Sequence, residues 1–211
     1  DYFTLPGEPG RWGIVIADVS DKGVPAAIFM ALSRTTIRNI ALRGRSPAEV
    51  LSWANRYIQE DSQSDMFLSA FYAELNIHTG QLTYANAGHN PPLWWQAGER
   101  RFQRLPASCP LLGVLPEIDV SVTTIYLLPG DILVLYTDGI SESFDADYNE
   151  FSVSRLEGTV REYITQHTYA RATEIRSAIA DEVRNFTGST VQYDDMTLLI
   201  IKRSEEPHEE Q

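Results

Sequence analysis

A single cysteine, Cys109, stands among 211 residues, so no internal disulfide framework can form and the chain fits a reducing, cytoplasmic compartment. Set between prolines in "LPASCPLLG", it reads as a small packed residue rather than a nucleophile. No apolar run approaches the roughly 20 residues needed to cross a bilayer, and no signal peptide is visible. Basic charge is also scarce: 17 Lys and Arg face 29 Asp and Glu, a formal net charge of −12. That balance argues against the basic stripe of a nucleic-acid surface. Acidity has two readings, solubility and carboxylates gathered where cations bind. No Ser-His-Asp arrangement is apparent either, so nucleophilic catalysis by a side chain has no visible basis.

What is present reads as one domain over residues 1–203 with an acidic tail, "SEEPHEEQ", over 204–211. Neither an internal repeat nor a linker breaks the pattern. "WGIVIAD" is a buried strand, Trp12 to Asp18, and Val24-Pro25 opens a helix, since Pro suits the first helical turn. Ala26, Ala27, Met30, Ala31 and Ile37 are expected on its packed face. Ser46, Pro47 and Glu49 form a capping box for a second helix reaching about Glu60. "MFLSAFYAELN" and "QLTYANAG" form a hairpin across "IHTG", and "PPLWWQ" and "RRFQRL" form another across "AGE". "DVSVTTIYLL" alternates, while "ILVLY" is continuously apolar, as for a strand covered on both faces. Two further helices, about Val153–His167 and one carrying Ile175, Ile179, Val183 and Phe186, precede a last strand, "MTLLIIK". Strands between helical ends imply a sheet core with helical layers outside it.

Three apolar strands end or begin at an acidic turn: Asp18 in "ADVSDKG", Asp138 in "YTDGISE" and Asp194-Asp195 in "YDDMT". Asp is common at turns because it caps nearby amides, so each alone carries little. Strand ends are rigid, however, and carboxylates gathered there repel unless a cation lies between them. Mg²⁺ and Mn²⁺ supply that charge and prefer oxygen ligands, to which the Val19 backbone carbonyl could add.

The wording of these turns then resembles a family. "ADVSDKGVPAAIFMA", "YANAGHNPPLW", "LYTDGISES" and "YDDMTLLII" occur in the order found in bacterial phosphatases of the stage II sporulation protein E (SpoIIE) and RsbU type, within the metal-dependent PPM, or type 2C, serine/threonine phosphatases. The resemblance runs from Asp1 to about Arg203. It implies an α+β fold, a four-layer α-β-β-α sandwich of two mainly antiparallel sheets flanked by helices, with a two-metal site. Carried over by position, Asp18 resembles the bridging carboxylate, Val19 the accompanying carbonyl ligand, Asp138 the Thr-Asp-Gly carboxylate and Asp194 the ligand of the last motif. Asp195 and Gly139 are expected beside the ligands or against substrate, Asp195 also as an alternate ligand. His89, in the shaped loop "AGHNPPL", reads first as a structural hydrogen-bonding residue and otherwise as a residue behind the ligands, a substrate contact or the leaving-group acid. The family's Gly-Gly-Asp-x-Tyr-Asp element is present only from its second Asp, which Asp1 matches, so one further ligand and part of a strand are expected upstream.

The resemblance also implies chemistry and partners. Two cations, Mn²⁺ or Mg²⁺, about 3.5–4 Å apart activate water for attack on phosphorus and neutralise the phosphate oxygens. The expected activity is hydrolysis of phosphoserine or phosphothreonine on a protein, an anti-sigma-factor antagonist in bacterial stress or partner-switching signalling. An upstream sensor or regulatory domain is expected as well, and the helices at Val24–Ala41 and Ser46–Glu60 read either as its points of control or as an ordinary layer covering the sheet. A homodimer is among the assemblies allowed. The rival readings are a degenerate phosphatase fold that binds a phosphoprotein or regulator without turnover, and a two-metal nuclease, which the acidic surface disfavours.

Overall fold

The computed structural model describes residues 1–61, 66–192 and 194–204. Tyr193, His208 and the tail beyond Ser204 lie outside the described residues. In chain order the elements are β1 (Tyr2–Thr4), β2 (Arg11–Val19), α1 (Val24–Ala41), α2 (Pro47–Asp61), β3 (Leu68–Asn76), β4 (Gln81–Ala87), β5 (Leu93–Gln96), β6 (Arg101–Arg104), β7 (Thr123–Tyr126), β8 (Ile132–Tyr136), α3 (Asp138–Ser141), α4 (Val153–Gln166), α5 (Ala172–Thr187) and β9 (Leu198–Lys202). They fall into two compact units, Asp1–Pro91 with Pro106–Leu127, and Pro92–Leu105 with Leu128 onward. Each unit joins one antiparallel sheet to one pair of long helices, which makes the chain α+β.

In the first unit the strand order is β1-β2-β3-β4-β7. Side chains alternate between the two faces of a strand. Val15, Leu68, Ala70, Tyr72, Ala85 and Ala87 therefore point one way and join Ile37, Ile40, Val50, Leu51, Ala54 and Ile58 of α1 and α2 in one core. Asp18, between Ala17 and Val19, belongs to the opposite face, as does Ser69, its partner in the β2–β3 register. The capping box of α2 forms as expected: Ser46 N–H donates to Glu49 Oε2 at 2.9 Å, and Glu49 N–H to Ser46 Oγ at 3.4 Å.

The packed face of α1 differs from the sequence reading. Ala26, Ser33, Ile37, Ile40 and Ala41 are buried, while Ala27 and Ala31 are exposed and Met30 is half-buried. Small apolar residues on both sides of the first two turns leave the helical phase open there. The bulky pair Ile37 and Ile40 sets it further along, turning Ser33 inward.

In the second unit the strand order is β6-β5-β8-β9. β8 is buried at all five positions, as its unbroken apolar run predicts, and its neighbours join Leu156 and Val160 of α4 and Ile175, Ile179 and Val183 of α5. The turn into β8 is anchored by Asp131, 1% exposed. Its carboxylate accepts from Trp94 Nε1 at 2.9 Å, Ala97 N–H at 2.8 Å and Leu128 N–H at 2.9 Å. Ser152 caps α4 by accepting from Arg155 N–H at 3.3 Å. Among the described residues, no helix is long and apolar enough to cross a membrane.

Candidate metal centre

The expected site residues divide between the units, and each group has its own local architecture. In the first unit β2 delivers Asp18, half-buried, and then Val19, which pairs with Leu68 in the last register position. The chain turns at once: Ser20 N–H donates to Phe67 O at 3.0 Å and Ser20 Oγ accepts from Phe67 N–H at 3.2 Å. Gly23 then takes a φ of 85°, and Pro25 follows in the first turn of α1. A positive φ suits Gly, which has no Cβ to clash. This explains why α1 starts only after the "VSDKG" turn is complete.

His89 lies in the same unit, 2% exposed, with Nδ1 2.8 Å from Ser69 Oγ. Asp1 has another occupation: its Oδ2 accepts from Arg34 Nε at 2.9 Å and Arg38 Nη1 at 3.0 Å. Cys109 has its thiol pushed up to about 11, chiefly by burial. It is therefore protonated near neutrality and a poor nucleophile.

In the second unit β8 runs into Thr137, which starts the one-turn helix α3. The sequence reading has a plain turn here. Thr137 also binds the segment ahead of β9. Its N–H donates to Thr197 O at 3.1 Å, its Oγ1 accepts from Thr197 N–H at 2.9 Å, and its hydroxyl donates to Asp195 O at 2.9 Å. Gly139 completes the contact, because a Cβ there would lie 2.9 Å from the Asp195 carbonyl carbon and 3.3 Å from that of Asp194. Two acidic motifs 56 positions apart (138 and 194) are thereby held side by side.

Their charge is felt locally. Glu142 has its carboxyl raised above the ordinary glutamate value, first by burial and then by Asp138, Glu150 and Asp194. Asp194 Oδ1 accepts from Asp195 N–H at 2.9 Å. A carboxylate offers about four acceptor positions, so one amide does not exhaust it. The Asp195 backbone carbonyl, rather than its side chain, makes the contacts to Thr137 and Gly139.

Among the described residues, no three or more His, Cys, Asp or Glu side chains are gathered into a ready-made cage. Fit to a cation rests on the donor set instead. Asp18 and the Val19 carbonyl in one unit, and Asp138 and Asp194 in the other, are all hard oxygen donors suited to Mg²⁺ or Mn²⁺. After burial, part of the rise at Glu142 comes from Asp138 and Asp194, and a divalent cation beside them would relieve that part. Thr137, Glu142 and Ser69 were not singled out from the sequence. Thr137 and Glu142 lie within "YTDGISES" and could have been suspected there. Ser69 meets Asp18 only through sheet register, which leaves no local mark.

The family model for stage II sporulation protein E (SpoIIE) matches residues 8–204. Phosphoserine phosphatase RsbU of Bacillus subtilis is 30% identical over 203 residues, covering 96% of this chain and 59% of that protein. This chain spans between a third and three-fifths of the length of the curated relatives it matches. The SiaA-PP2C domain of Pseudomonas aeruginosa superposes with a TM-score of 0.80 at 21% identity, covering 96% of this chain and 78% of that one. The RsbU and RsbW domains of Rv1364c from Mycobacterium tuberculosis give a TM-score of 0.75 at 25% identity, covering 94% and 53%.

Proposed function

The chain belongs to the SpoIIE family of PPM-type phosphatases, and from that premise we propose that it hydrolyses phosphoserine or phosphothreonine on a protein with the aid of two divalent cations. In this reading Asp18, the Val19 carbonyl, Asp138 and Asp194 hold Mn²⁺ or Mg²⁺. The observation that supports it is the Thr137 hydroxyl bond to the Asp195 carbonyl, which ties the segment carrying Asp194 to the start of α3, where Asp138 and Asp194 both add to the burial-driven rise of the Glu142 carboxyl.

Bound cations would supply positive charge to the phosphate oxygens and acidify a water molecule. The chain's own residues do the rest. Asp18 stands on a rigid strand end, so its carboxylate is presented without a search through loop conformations. Thr137 and Gly139 hold the backbone of the Asp194-Asp195 segment against the start of α3. No side chain forms a covalent bond to phosphorus, in keeping with the raised Cys109 thiol.

The substrate we propose is a phosphorylated anti-sigma-factor antagonist; that the relative RsbU is named a phosphoserine phosphatase supports the phosphoserine part of this reading. A sensor or regulatory domain outside residues 1–203 and a cytoplasmic location complete the proposal.

The test is hydrolysis of a phosphoserine peptide and of p-nitrophenyl phosphate with Mn²⁺, Mg²⁺ or EDTA. Metal-dependent turnover is expected, with kcat/KM falling about 100-fold or more in Asp18→Asn, Asp138→Asn and Asp194→Asn, a loss typical of misplaced catalytic geometry. Turnover in EDTA, or variants as active as the wild type, would overturn the reading. Phosphopeptide binding without turnover would instead establish the non-catalytic alternative.

A further inference from the structure

Resting on the cation-site reading above, we infer that Ser69, His89 and Asn86 form a positioning network for the Asp18 carboxylate. Ser69 faces Asp18 directly in the β2–β3 register, so both side chains leave the same face of the sheet with Cβ atoms about 4.5–5.5 Å apart. On that face Ser69 Oγ lies 2.8 Å from His89 Nδ1. The backbone that carries the imidazole is itself clamped. His89 N–H donates to Asn86 Oδ1 at 2.8 Å, and Asn86 Nδ2 donates to His89 O at 3.1 Å.

Asn86 is fully buried and held in turn by its backbone. Its carbonyl accepts from Ser108 N–H at 2.7 Å and Cys109 N–H at 3.2 Å, and its N–H donates to Ser108 Oγ at 3.0 Å. Gly88, with a φ of 67°, makes the turn that brings His89 back to the strand end. A Cβ there would strike Leu111 Cδ2 at 2.7 Å.

Burying an imidazole and a carboxamide costs more than burying apolar side chains of the same size unless polar atoms are hydrogen-bonded, as the Asn86 amide and His89 Nδ1 are. An apolar trio would serve packing alone. What the polar trio would add is orientation: in the tautomer protonated at Nδ1, Nδ1–H donates to Ser69 Oγ and the hydroxyl hydrogen is left for the Asp18 carboxylate across the register. A carboxylate so held presents its remaining lone pairs to a cation in one fixed direction. Loss of such a supporting group typically weakens metal affinity about 10–100-fold.

The test combines calorimetric titration of Mn²⁺ into the protein with phosphopeptide and p-nitrophenyl phosphate kinetics, on Ser69→Ala, His89→Phe, the double variant, and the conservative Ser69→Thr and His89→Asn. Ser69→Ala and His89→Phe should each weaken Mn²⁺ binding about tenfold or more. KM for p-nitrophenyl phosphate at saturating Mn²⁺ should not move. The double variant should be no weaker than the weaker single one, because the groups act in series. Ser69→Thr and His89→Asn, which keep a hydroxyl and a polar atom near Nδ1, should recover most of the affinity.

A purely structural role would lower the melting temperature without moving Mn²⁺ affinity. Wild-type Mn²⁺ affinity in Ser69→Ala overturns the inference, even if His89→Phe does not fold. Mn²⁺ binding by the wild type without phosphopeptide hydrolysis would overturn the phosphatase reading and leave the network testable. No Mn²⁺ binding by the wild type would overturn both.

Discussion

Replacing Gly139 by alanine adds one methyl group at the contact that seats Asp194. Gly139 lies outside the positive-φ region, so alanine can adopt its backbone conformation and the effect is steric. The new Cβ would stand 2.9 Å from the Asp195 carbonyl carbon and closer still to its oxygen. Carbon atoms need about 3.5 Å, so the carbonyl carbon must retreat by roughly 0.6 Å and the oxygen by roughly 1 Å. The Thr137 hydroxyl then loses its acceptor, and Asp194, one residue back, moves with the segment. A 1 Å displacement at a reacting centre can cost about 100-fold in rate, whereas overpacking costs about 1–3 kcal/mol in stability. The expected outcome is a phosphatase with kcat reduced about 100-fold, still folded, with a melting temperature a few degrees lower.

Gly158→Ala is the control. Its Cβ would meet nothing within 4 Å, so activity should be unchanged and α4 should gain up to about 1 kcal/mol. The assay is steady-state hydrolysis over a Mn²⁺ titration, with thermal melts on the same samples. Gly139→Ala with activity and Mn²⁺ requirement within about twofold of wild type would refute the claim that this contact sets the position of Asp194.

Other consequences follow from single side chains. Glu142 has a raised folded-state carboxyl pKa, so its contribution to stability is present in full below the ordinary glutamate value and lost as pH rises through the raised value. Without metal, Glu142→Gln should therefore melt about 1–2 °C higher than wild type near neutrality and show no such gain near pH 4; a lower melting temperature at neutral pH would contradict the repulsion. Asp131→Asn turns an amide toward donors now satisfied by carboxylate oxygen, and should cost about 2–4 kcal/mol in urea unfolding, a loss that negligible destabilisation would exclude. Ser33 Oγ, on a residue 2% exposed, has no hydrogen-bond partner among the described residues. Ser33→Ala should accordingly stabilise by about 1 kcal/mol in the same assay, and destabilisation would reveal an unrecognised role for the hydroxyl.

Local chemistry made much of the fold legible. The start of α1 at Val24, the Ser46–Glu49 capping box and the buried run of β8 each follow from a few adjacent residues. So does the placement of Asp18 and Asp138 at the ends of apolar strands. Expectations failed where the deciding contact lies far along the chain or where the local pattern is degenerate. The buried phase of α1 could not be read from alanines lying on several faces. "DVSVTTIYLL" keeps only Thr123–Tyr126 as strand, since its ladder with β4 covers only those four residues. The pairing of Asp18 with Ser69 depends on register, and a one-residue slip would send Ser69 to the other face. Thr137 is another such case, because its hydroxyl earns its meaning from a carbonyl 58 positions away.

The most direct measurement is an anomalous difference map from crystals grown with Mn²⁺. Two Mn²⁺ peaks are predicted, with carboxylate oxygens of Asp18, Asp138 and Asp194 among their ligands at about 2.0–2.4 Å. Peaks ligated by other residues, or no peak near these three aspartates at a Mn²⁺ concentration that supports turnover, would contradict the assignment.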